Sequence, residues 1–391
     1  MKKVVIIGSG LSGLSCAHYL NQSDFDVHIF EKESIPGGRA SSEKVDGFIC
    51  DKGFQVLLNN YSELNRLNIY NKLDLRNFHS GAFIYNNNDI LSLYNPIYHP
   101  IKFIKSNIFK IFKIKDIYSL FKLLIKSSNN NNNSTKKYID KNFSANSLQL
   151  FFYPFFRGIF LSPNLENNLI FFKKLIKKFA FGIATLPAKG MSILSQEIIK
   201  LTNLKISFNY ELIDYDDYNV TFSNGEKASY DVLILAMPLH CINKFKDNNF
   251  KYSYNSNSTF YFSSSKNLFN KTILLVPQET YEINSIQCIS NVSSNYSSNS
   301  KSLYSVSTLN ADSKLEKIMN EFQQITKIDS KDIKFIKSYK IKNALPKITS
   351  RIKNTNKIFY CGDWSMEPSI DGALKSGRLI AEDIIKNHEA I

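Results

Sequence analysis

The chain is 391 residues long, which is more than one hydrophobic core usually supports, so its length favours two folded units. Hydrophobic residues make up 43% of the chain and charged residues 21%, a balance that excludes an intrinsically disordered protein. The 49 Lys and Arg residues exceed the 34 Asp and Glu residues, for a net charge of +15. Such an excess is typical of proteins that meet a polyanion: a membrane surface, a nucleic acid or a phosphorylated ligand.

The chain begins with the pattern of a strand, a helix and a second strand. Val4–Ile7 is an apolar, β-branched run that predicts a buried parallel strand. Apolar residues then recur at helical spacing as far as Leu20, and Val27–Phe30 predicts the second strand. A last helix is predicted to reach about Lys386. The strand patterns between these ends are Lys205–Phe208, Val220–Phe222, Tyr230–Ala236 and Lys357–Cys361.

Two long segments of different character separate these elements. Residues 60–186 are aromatic and lysine-rich with helical spacing, and Asn129–Asn133 interrupts them as a predicted flexible loop. Residues 241–345 are rich in Ser, Asn and Tyr, and alternation at Thr259–Ser263 and Ile273–Val276 predicts antiparallel strands. We therefore expect one domain built from three separated segments and another built from the two insertions.

A glycine-rich turn carries the clearest chemical signal. Gly8–Gly13 has the form G-x-G-x-x-G between a strand and a helix, which lets a diphosphate approach the helix N-terminus. Glu31 ends the second strand, where a carboxylate can accept hydrogen bonds from ribose hydroxyls. Gly37-Gly38-Arg39 then adds a second glycine pair and an arginine. A simple NAD dehydrogenase does not need this extra motif, whereas the longer FAD has a second phosphate flank to contact, so the sequence favours FAD.

Further motifs follow in a recognisable order. Asp51-Lys52-Gly53 has the form D-x-G, and Pro187–Met191 is close to P-x-G-G-M with Lys189 in place of a glycine. The later motifs are Tyr230–Pro238, Gly362-Asp363-Trp364 and Ser369–Gly377. With these motifs the chain resembles the flavin-containing amine oxidase superfamily, which includes phytoene desaturases and protoporphyrinogen oxidases. The resemblance implies that the Gly-Asp pair contacts the ribityl-phosphate region and that the last helix points its N-terminus at the flavin.

The resemblance also implies that FAD is bound non-covalently. Covalent members carry their flavin-linking cysteine well upstream of the Gly-Asp pair, whereas Cys361 directly precedes Gly362. Amine oxidases place a tyrosine of their aromatic cage where Ser369 stands, so the resemblance does not extend to that cage. The residues assigned to FAD are Gly8, Ser9, Gly10, Leu11, Ser12, Gly13, Glu31, Lys32, Gly38, Arg39, Gly53, Leu212, Ala236, Gly362, Asp363, Ser369, Ile370 and Ala373.

The predicted fold class is α/β, or α+β overall, in two interleaved domains. A Rossmann-like FAD-binding domain is expected from three discontinuous segments, and a mixed-sheet substrate domain with a basic helical cap from the two insertions. The segments of the FAD-binding domain are 1–60, 187–240 and 346–391. The segments of the substrate domain are 61–186 and 241–345.

No catalytic residue identifies itself from the sequence, and Arg157 is the single candidate. It follows the aromatic run Phe151–Phe156, which suits the wall of an apolar tunnel. Lysine is the usual cation in this chain, so an arginine here can be required for its fork-shaped hydrogen bonding. The alternative is an ion pair inside the cap.

The positive charge is concentrated between residues 100 and 189, where 16 basic residues face three acidic ones. Within 101–113 the spacing predicts an amphipathic helix, with lysines opposite an apolar face. Segments 101–126 and 169–179 therefore predict peripheral contact with an anionic membrane. The alternative is that the apolar face packs on the domain and the lysines are merely solvated. No recognised nucleic-acid motif accompanies the charge, so no nucleic acid is expected.

These observations predict an FAD-dependent oxidoreductase that moves a hydride from an apolar or amphipathic small molecule to the flavin. Two alternatives stay open: a carotenoid-type desaturase or isomerase at a membrane surface, and a flavin-binding, membrane-associated protein without turnover. The five cysteines are widely spaced without a C-x-x-C, so no metal is expected and a reducing compartment is favoured. With no uncharged apolar stretch near ~20 residues, we expect a cytoplasmic protein, at most peripheral on the inner face of a membrane.

Overall fold

A computed structural model describes residues 1–125, 134–245, 249–277, 281–349 and 352–389. The predicted loop at Asn129–Asn133 lies outside these residues. The strands are β1 (Lys2–Ile7), β2 (Phe25–Glu31), β3 (Ser42–Val45), β4 (Phe48–Asp51), β5 (Leu57–Leu58), β6 (Leu75–Asn77), β7 (Gly81–Asn86), β8 (Asp89–Tyr94), β9 (Ala184–Pro187), β10 (Lys205–Phe208), β11 (Leu212–Tyr215), β12 (Asn219–Phe222), β13 (Lys227–Ser229), β14 (Val232–Leu235), β15 (Tyr252–Ser264), β16 (Ile273–Leu275), β17 (Ile283–Cys288), β18 (Ser302–Thr308), β19 (Ile333–Thr349) and β20 (Ile358–Tyr360).

Helices connect these strands and form most of the segment between β8 and β9. They are α1 (Leu11–Leu20), α2 (Ser62–Arg66), α3 (Pro100–Ile104), α4 (Ile108–Ile111), α5 (Ile114–Ile125), α6 (Thr135–Asn142), α7 (Ala145–Ser147), α8 (Tyr153–Phe160), α9 (Leu169–Phe181), α10 (Ser192–Thr202), α11 (Leu239–Ile242), α12 (Ile289–Val292), α13 (Leu315–Thr326) and α14 (Ile370–Glu389). No helix in the described part of the chain is both long and apolar enough to span a bilayer.

A five-stranded parallel sheet, in the order β10-β2-β1-β14-β20, is the centre of the predicted FAD-binding domain. Its central strands β1 and β14 are short apolar runs that are buried on both faces, as is typical of parallel strands inside a sheet. Val4 and Ile6 face a core with α1, α10 and α14, whereas Val5 and Ile7 face the small sheet β11-β12-β13. The predicted strand Val220–Phe222 therefore lies in the small antiparallel sheet, which packs on one face of the parallel sheet.

The second large sheet has seven strands in the order β19-β15-β18-β17-β16-β7-β8. The predicted fold class, α/β or α+β overall, is confirmed, because the structure combines helices with one parallel sheet and one mixed sheet. The prediction that 60–186 is helical is wrong at its beginning, because β6, β7 and β8 lie there. β7 and β8 form a hairpin whose turn places Asn87 and Asn88 at positive φ, a conformation that asparagine tolerates better than other side chains.

The helices α3–α9 form a cap over one end of this sheet. Its core is aromatic: Phe152, Phe156, Phe160 and Phe172 are fully buried. The single amphipathic helix predicted over 101–113 is wrong, because the chain breaks into α3 and α4. The Oδ1 atom of Asn107, just before α4, accepts a hydrogen bond from the backbone N–H of Ser92 at 2.8 Å and ties this break to β8.

Breaking the helix changes which apolar residues of the cap are buried. Ile108 and Ile111 of α4 pack into the aromatic core, as the alternative to membrane contact predicts. In contrast, Ile101 and Ile104 of α3 are 70% and 79% exposed. The predicted common apolar face of 101–113 is therefore divided between the core and the surface.

Candidate functional site

The glycine-rich turn closes tightly between β1 and α1. Gly8 has φ +106°, and its backbone N–H donates to the carbonyl of Phe30 at 2.8 Å. A Cβ on Gly13 would lie 2.0 Å from the carbonyl oxygen of Gly8, so only glycine lets the helix approach the turn this closely. Gly10 is the N-cap residue of α1, and Leu11 and Ser12 begin the helix.

Gly10 leaves space for a side chain, whereas Gly8 and Gly13 do not. Its chain neighbours apart, no atom of the described residues comes within 4 Å of the position that a Cβ on Gly10 would take. Within the same described part of the chain, no side chain caps the N-terminus of α1. Free N–H groups beside open space at a helix N-terminus fit a diphosphate.

Glu31 lies beside this turn, as the sequence predicts. Its buried carboxylate accepts hydrogen bonds from the Ser9 backbone N–H at 2.7 Å, the Ser9 Oγ at 2.8 Å and the Glu33 N–H at 3.0 Å. The neighbouring Lys32 is exposed, and Leu212 is buried under the same end of the sheet. The carboxylate is thereby held at the carboxyl end of β2, next to the turn.

Arg39 joins three distant parts of the chain. Its Nη2 atom pairs with Asp363 Oδ1 at 2.7 Å, and its Nη1 atom donates to the carbonyl of Ala344 in β19 at 2.6 Å. The preceding Gly38 lies over the first glycine turn, since a Cβ on it would be 3.6 Å from Gly10 Cα. The structure therefore brings the two glycine motifs and the C-terminal Gly-Asp motif to one place.

The C-terminal motif closes the same site from the other side. The backbone N–H of Gly362 donates to Ser376 Oγ at 3.0 Å. Ser369 Oγ accepts from the backbone N–H of Gly372 at 3.0 Å, which orders the first turn of α14, where Ile370 and Ala373 lie. Ala236 packs against the first glycine turn, because a Cβ on Gly13 would be 3.1 Å from its side chain. The structure brings these residues to the same region, and their contacts with FAD stay a prediction.

Asp51 of the D-x-G motif is a buried structural carboxylate. It accepts hydrogen bonds from Ser42 Oγ at 2.6 Å, Met191 N–H at 2.9 Å and Tyr296 Oη at 2.8 Å. Burial raises its pKa, and the three hydrogen bonds oppose that change. Asp51 thereby ties the β3–β4 hairpin to the turn at Gly190. Sequence reasoning missed Tyr296, because nothing in the local pattern indicates a partner so far along the chain.

Gly53 places the D-x-G motif against the second large sheet. Its φ is +86°, and a Cβ on it would lie 3.3 Å from the Ile341 side chain and 3.8 Å from Asn257 Oδ1. The backbone N–H of Phe54 donates to Thr259 Oγ1 at 3.3 Å. The predicted flavin motif therefore borders β15.

Two side chains near Arg39 also escaped the sequence analysis. Tyr254 Oη accepts from the backbone N–H of Leu239 at 3.1 Å, and burial raises its pKa to about 12. The pKa of His240 is lowered by burial and then by Lys244, Arg39 and Lys32. Both groups are therefore neutral at neutral pH.

Arg157 points within the cap. Its Nε atom donates to the carbonyl of Pro163 at 2.7 Å, and its guanidinium lies 4.9 Å from the centre of the Tyr153 ring. Within the aromatic run, Phe151 stacks on Phe155, and the Phe155 ring meets the Phe179 ring edge to face. These contacts support the cap, and a catalytic role of Arg157 stays a prediction. In the described part of the chain, no cluster of His, Cys, Asp and Glu could hold a metal.

Known proteins are similar to this chain in sequence and in fold. The zeta-carotene-forming phytoene desaturase of Myxococcus xanthus is 42% identical over 57 residues, 15% of this chain and 11% of that protein. The mitochondrial protoporphyrinogen oxidase of Nicotiana tabacum is 32% identical over 109 residues, 27% of this chain and 21% of that protein. The chain thus aligns with only a minor part of each relative's length.

A solved structure and a family model extend the likeness to almost the whole chain. Reduced UDP-galactopyranose mutase has a TM-score of 0.75 at 16% identity, covering 99% of this chain and 96% of that one, which shows a shared fold. The model of flavin containing amine oxidoreductases matches residues 11–385. A flavin cofactor is thereby confirmed, and the chain belongs to the flavin containing amine oxidoreductase family.

Proposed function

We propose that the protein is an FAD-dependent oxidoreductase that takes a hydride from an apolar or amphipathic small molecule. The observation that carries this proposal is the Arg39–Asp363 pair at 2.7 Å, because it joins the glycine-rich half of the site to the C-terminal half. Either half of the site alone would be weak evidence for flavin binding. Together with the family membership they support a complete flavin site.

The roles of the individual residues follow from where they lie. The N-terminus of α1 at Gly10 would hold the diphosphate, and Glu31 would hold the ribose. Asp363 would orient the ribityl chain, and the N-terminus of α14 would favour negative charge beside it. When bound, FAD supplies the acceptor for two electrons and a proton as hydride.

The aromatic cap supports a substrate with a large apolar part. Buried Phe152, Phe156 and Phe160 lie in the helices that cover the second sheet. The similarity to a phytoene desaturase favours a carotenoid-type desaturase or isomerase as the second candidate. A flavin-binding protein without turnover is the third.

Anaerobic reduction separates these candidates. The holoprotein is mixed under argon with lipophilic candidates, among them phytoene and a porphyrinogen, and flavin absorbance is followed. An oxidoreductase bleaches with its substrate and regains colour with an acceptor. In a second sample, whose flavin is first reduced with dithionite, an isomerase converts its substrate without reoxidising the flavin. If every candidate leaves both flavin and substrate unchanged, the protein without turnover is favoured.

We further propose that the cap rests on an anionic membrane through α3, α4 and α5. This surface, called here the cap surface, carries exposed apolar side chains beside exposed lysines. Its apolar members are Ile101, Ile104, Phe109, Ile114, Tyr118, Phe121 and Ile125. Its lysines are Lys102, Lys105, Lys110, Lys113, Lys115 and Lys122. Monomeric proteins rarely expose so much contiguous apolar surface without a partner.

The single acidic residue of segment 101–125 is turned into the protein, so the exposed charges of the cap surface are its lysines. Asp116 is buried, and its carboxylate accepts hydrogen bonds from Lys113 N–H at 2.8 Å and Ser144 N–H at 2.6 Å. If four of these six lysines touch the lipid, they would contribute about 4 kcal/mol, which corresponds to a dissociation constant of about 1 mM. Inserting three large apolar side chains adds about 6 kcal/mol before the cost of association, so apolar insertion and charge must act together.

The helix α9, predicted to touch the membrane through 169–179, is left out of the cap surface. Lys174 pairs with Glu367 at 2.6 Å, and Lys178 pairs with Asp371 at 2.7 Å. Both acids lie at the start of the last helix or just before it. These lysines therefore hold the cap against the FAD-binding region.

Vesicle flotation tests the cap surface. The full chain is mixed with vesicles of phosphatidylcholine alone or with about one third phosphatidylserine, and we expect flotation only with the anionic lipid. Replacing Ile104, Phe109 and Phe121 by serine should abolish flotation. The matched control replaces Ile213 and Tyr218 by serine and should float normally, because these side chains, 54% and 67% exposed, lie on β11 and in the turn before β12, away from the cap surface. Equal flotation of both variants, or none of the wild type, would overturn the proposal.

A further inference from the structure

The N-terminus of α14 carries two acidic residues where the proposed function needs positive charge. Glu367 lies just before the helix, and Asp371 lies in its first turn. A carboxylate at a helix N-terminus is attracted by the helix dipole and cancels part of its positive potential. Without compensation, both carboxylates would therefore repel negative charge on a flavin bound at this end of α14.

Two lysines of the cap helix α9 compensate these acids. The Lys174 Nζ atom lies 2.6 Å from Glu367 Oε1, and the Lys178 Nζ atom lies 2.7 Å from Asp371 Oδ2. The two lysines are one helical turn apart, so they lie on one face of α9. Burial raises the pKa of Glu367, but the hydrogen bond and charge of Lys174 lower it by more, so this carboxylate is ionised at neutral pH.

The other lysine pair of α9 serves as an internal comparison. The Lys173 ammonium lies 5.4 Å from the centre of the Tyr138 ring in α6, and helical spacing places Lys177 on the same face as Lys173. The lysines of α9 are therefore divided between two directions, because Lys173 faces α6 whereas Lys174 and Lys178 face α14. The ion pairs with α14 are thus a specific contact and not a general result of the basic composition of α9.

The first turns of α14 lie beside the region assigned to the FAD diphosphate. The Ser15 Oγ atom of α1 donates to the carbonyl of Leu374 at 2.7 Å, and a Cβ on Gly377 would lie 2.0 Å from the Ser12 carbonyl oxygen. Residues 365–369, just before α14, are half-buried along their whole length. The described part of the protein thus leaves the approach to the N-terminus of α14 partly uncovered, as a cofactor site requires.

The charge of the flavin changes when it accepts a hydride. A hydride carries two electrons and one proton, so its transfer adds one negative charge to the flavin. The positive end of α14 favours this charge, whereas an unpaired Glu367 or Asp371 would oppose it. A lysine on each acid removes that opposition, and the benefit is larger for the reduced flavin than for the oxidised one.

We propose that Lys174 and Lys178 are positioning residues of the flavin site, which act through Glu367 and Asp371 and raise the affinity of the site for reduced over oxidised flavin. This proposal rests on the proposed function and deepens it. The cap would then set the reduction potential of the flavin in addition to covering the second large sheet.

The reduction potential of the bound flavin tests this proposal. The holoprotein is titrated with dithionite under argon in the presence of a dye of known potential. Lys174→Met and Lys178→Met should each lower the ratio of the affinities for reduced and oxidised flavin about threefold, and the double variant about tenfold. For two electrons, the tenfold change corresponds to a potential about 30 mV more negative. Lys178→Arg keeps the positive charge and should keep the potential.

Removing an acid together with its lysine separates the effect of charge from that of structural support. Lys174→Met combined with Glu367→Gln should regain the potential of the wild type, although the ion pair is still missing. Glu367 is chosen because Asp371 also accepts from the backbone N–H of Glu63 at 2.9 Å and so supports α2. Lys177→Met is the matched control, since it removes the same charge from another face of the same helix and should leave the potential unchanged.

Several results would overturn the proposal. These are an unchanged potential in the double lysine variant, an equal shift in Lys177→Met, and no recovery when Glu367→Gln is added to Lys174→Met. Denaturant unfolding of the same proteins adds a further readout, because a loss of stability without a shift of potential would mean that the lysines only hold the cap in place. A holoprotein with normal flavin in these cases leaves the proposed function standing, whereas a protein that takes up no FAD defeats the proposed function first.

Discussion

The FAD-binding region and the cap are stabilised in different ways. The first depends on backbone contacts so close that they exclude a side chain: a Cβ on Gly377 of α14 would lie 2.0 Å from the Ser12 carbonyl oxygen of α1. The cap depends on large side chains, with Phe156 stacked between Phe152 and Phe160. Close backbone contacts leave little freedom for sequence change, whereas a core of aromatic rings tolerates variation in shape. The cofactor site therefore lies in the constrained region and the proposed substrate and membrane contacts in the other.

The largest effect is expected in the aromatic core of the cap. Phe156→Ala should lower the free energy of unfolding by about 4 kcal/mol, because it leaves a cavity among buried rings. Phe109→Ala, on the cap surface at 76% exposure, should change it by less than about 0.5 kcal/mol. Denaturant unfolding of the two variants measures the difference. A cap surface with a structural role would make the two costs similar.

The next largest effect on the free energy of unfolding is expected when a glycine of the FAD-binding region is replaced by alanine, which adds a single methyl group. Gly377→Ala should cost about 3 kcal/mol of stability, since its Cβ collides with the α1 backbone. Gly10→Ala has space for its Cβ and should cost less than about 1 kcal/mol. Because that space is assigned to the diphosphate, Gly10→Ala should still weaken FAD binding by more than about tenfold.

Unfolding of the apoprotein and FAD titration distinguish the two glycines. A normal FAD affinity in the folded Gly10→Ala protein would show that the cofactor does not pass over the first glycine turn. A Gly377→Ala protein as stable as the wild type would contradict the close contact between α1 and α14.

The glycine motifs were predictable from the sequence because their function is local. A turn of six residues, a strand end and a helix start depend on neighbours in the chain, so Gly8–Gly13 and Glu31 lie where expected. The cap was less predictable. The exposure of Ile104 follows from the break between α3 and α4, where Asn107 bonds to Ser92 of β8, a residue 15 positions earlier in the chain. No local pattern carries such information.

A third, smaller effect is expected at the Arg39–Asp363 pair. Arg39→Met leaves the buried Asp363 carboxylate without its cation and should cost about 2 kcal/mol. The double variant Arg39→Met with Asp363→Asn should cost less than the sum of the two single variants, because the pair acts as a unit. A double-mutant cycle on unfolding free energies measures this coupling. Strict additivity would mean that the pair does not join the two halves of the site.

The smallest effect is a dependence on pH. Burial lowers the pKa of His18, His28, His79, His99 and His240 below the ordinary value of 6.5. The unfolded chain therefore binds more protons than the folded one between 6.5 and these lowered values, and the protein should lose stability as the pH falls through that window. Above 6.5 this contribution is fully present.

Thermal unfolding of the holoprotein at pH 7.5 and pH 5.5 tests the direction. His28→Gln should make the loss smaller, since one of the five groups is removed. Acids with a lowered pKa, such as Glu43 with an ordinary value of 4.5, add to the loss only at lower pH. A protein that is more stable at pH 5.5 would contradict the burial of these histidines.

Titration of the apoprotein with FAD tests the central claim most directly. The account predicts one FAD bound for each chain, quenched in fluorescence on binding and released intact when the protein is denatured. It also predicts that Gly10→Ala weakens this binding while the protein remains folded. A folded wild-type protein that takes up no FAD, or flavin that stays attached to the chain after denaturation, would contradict it.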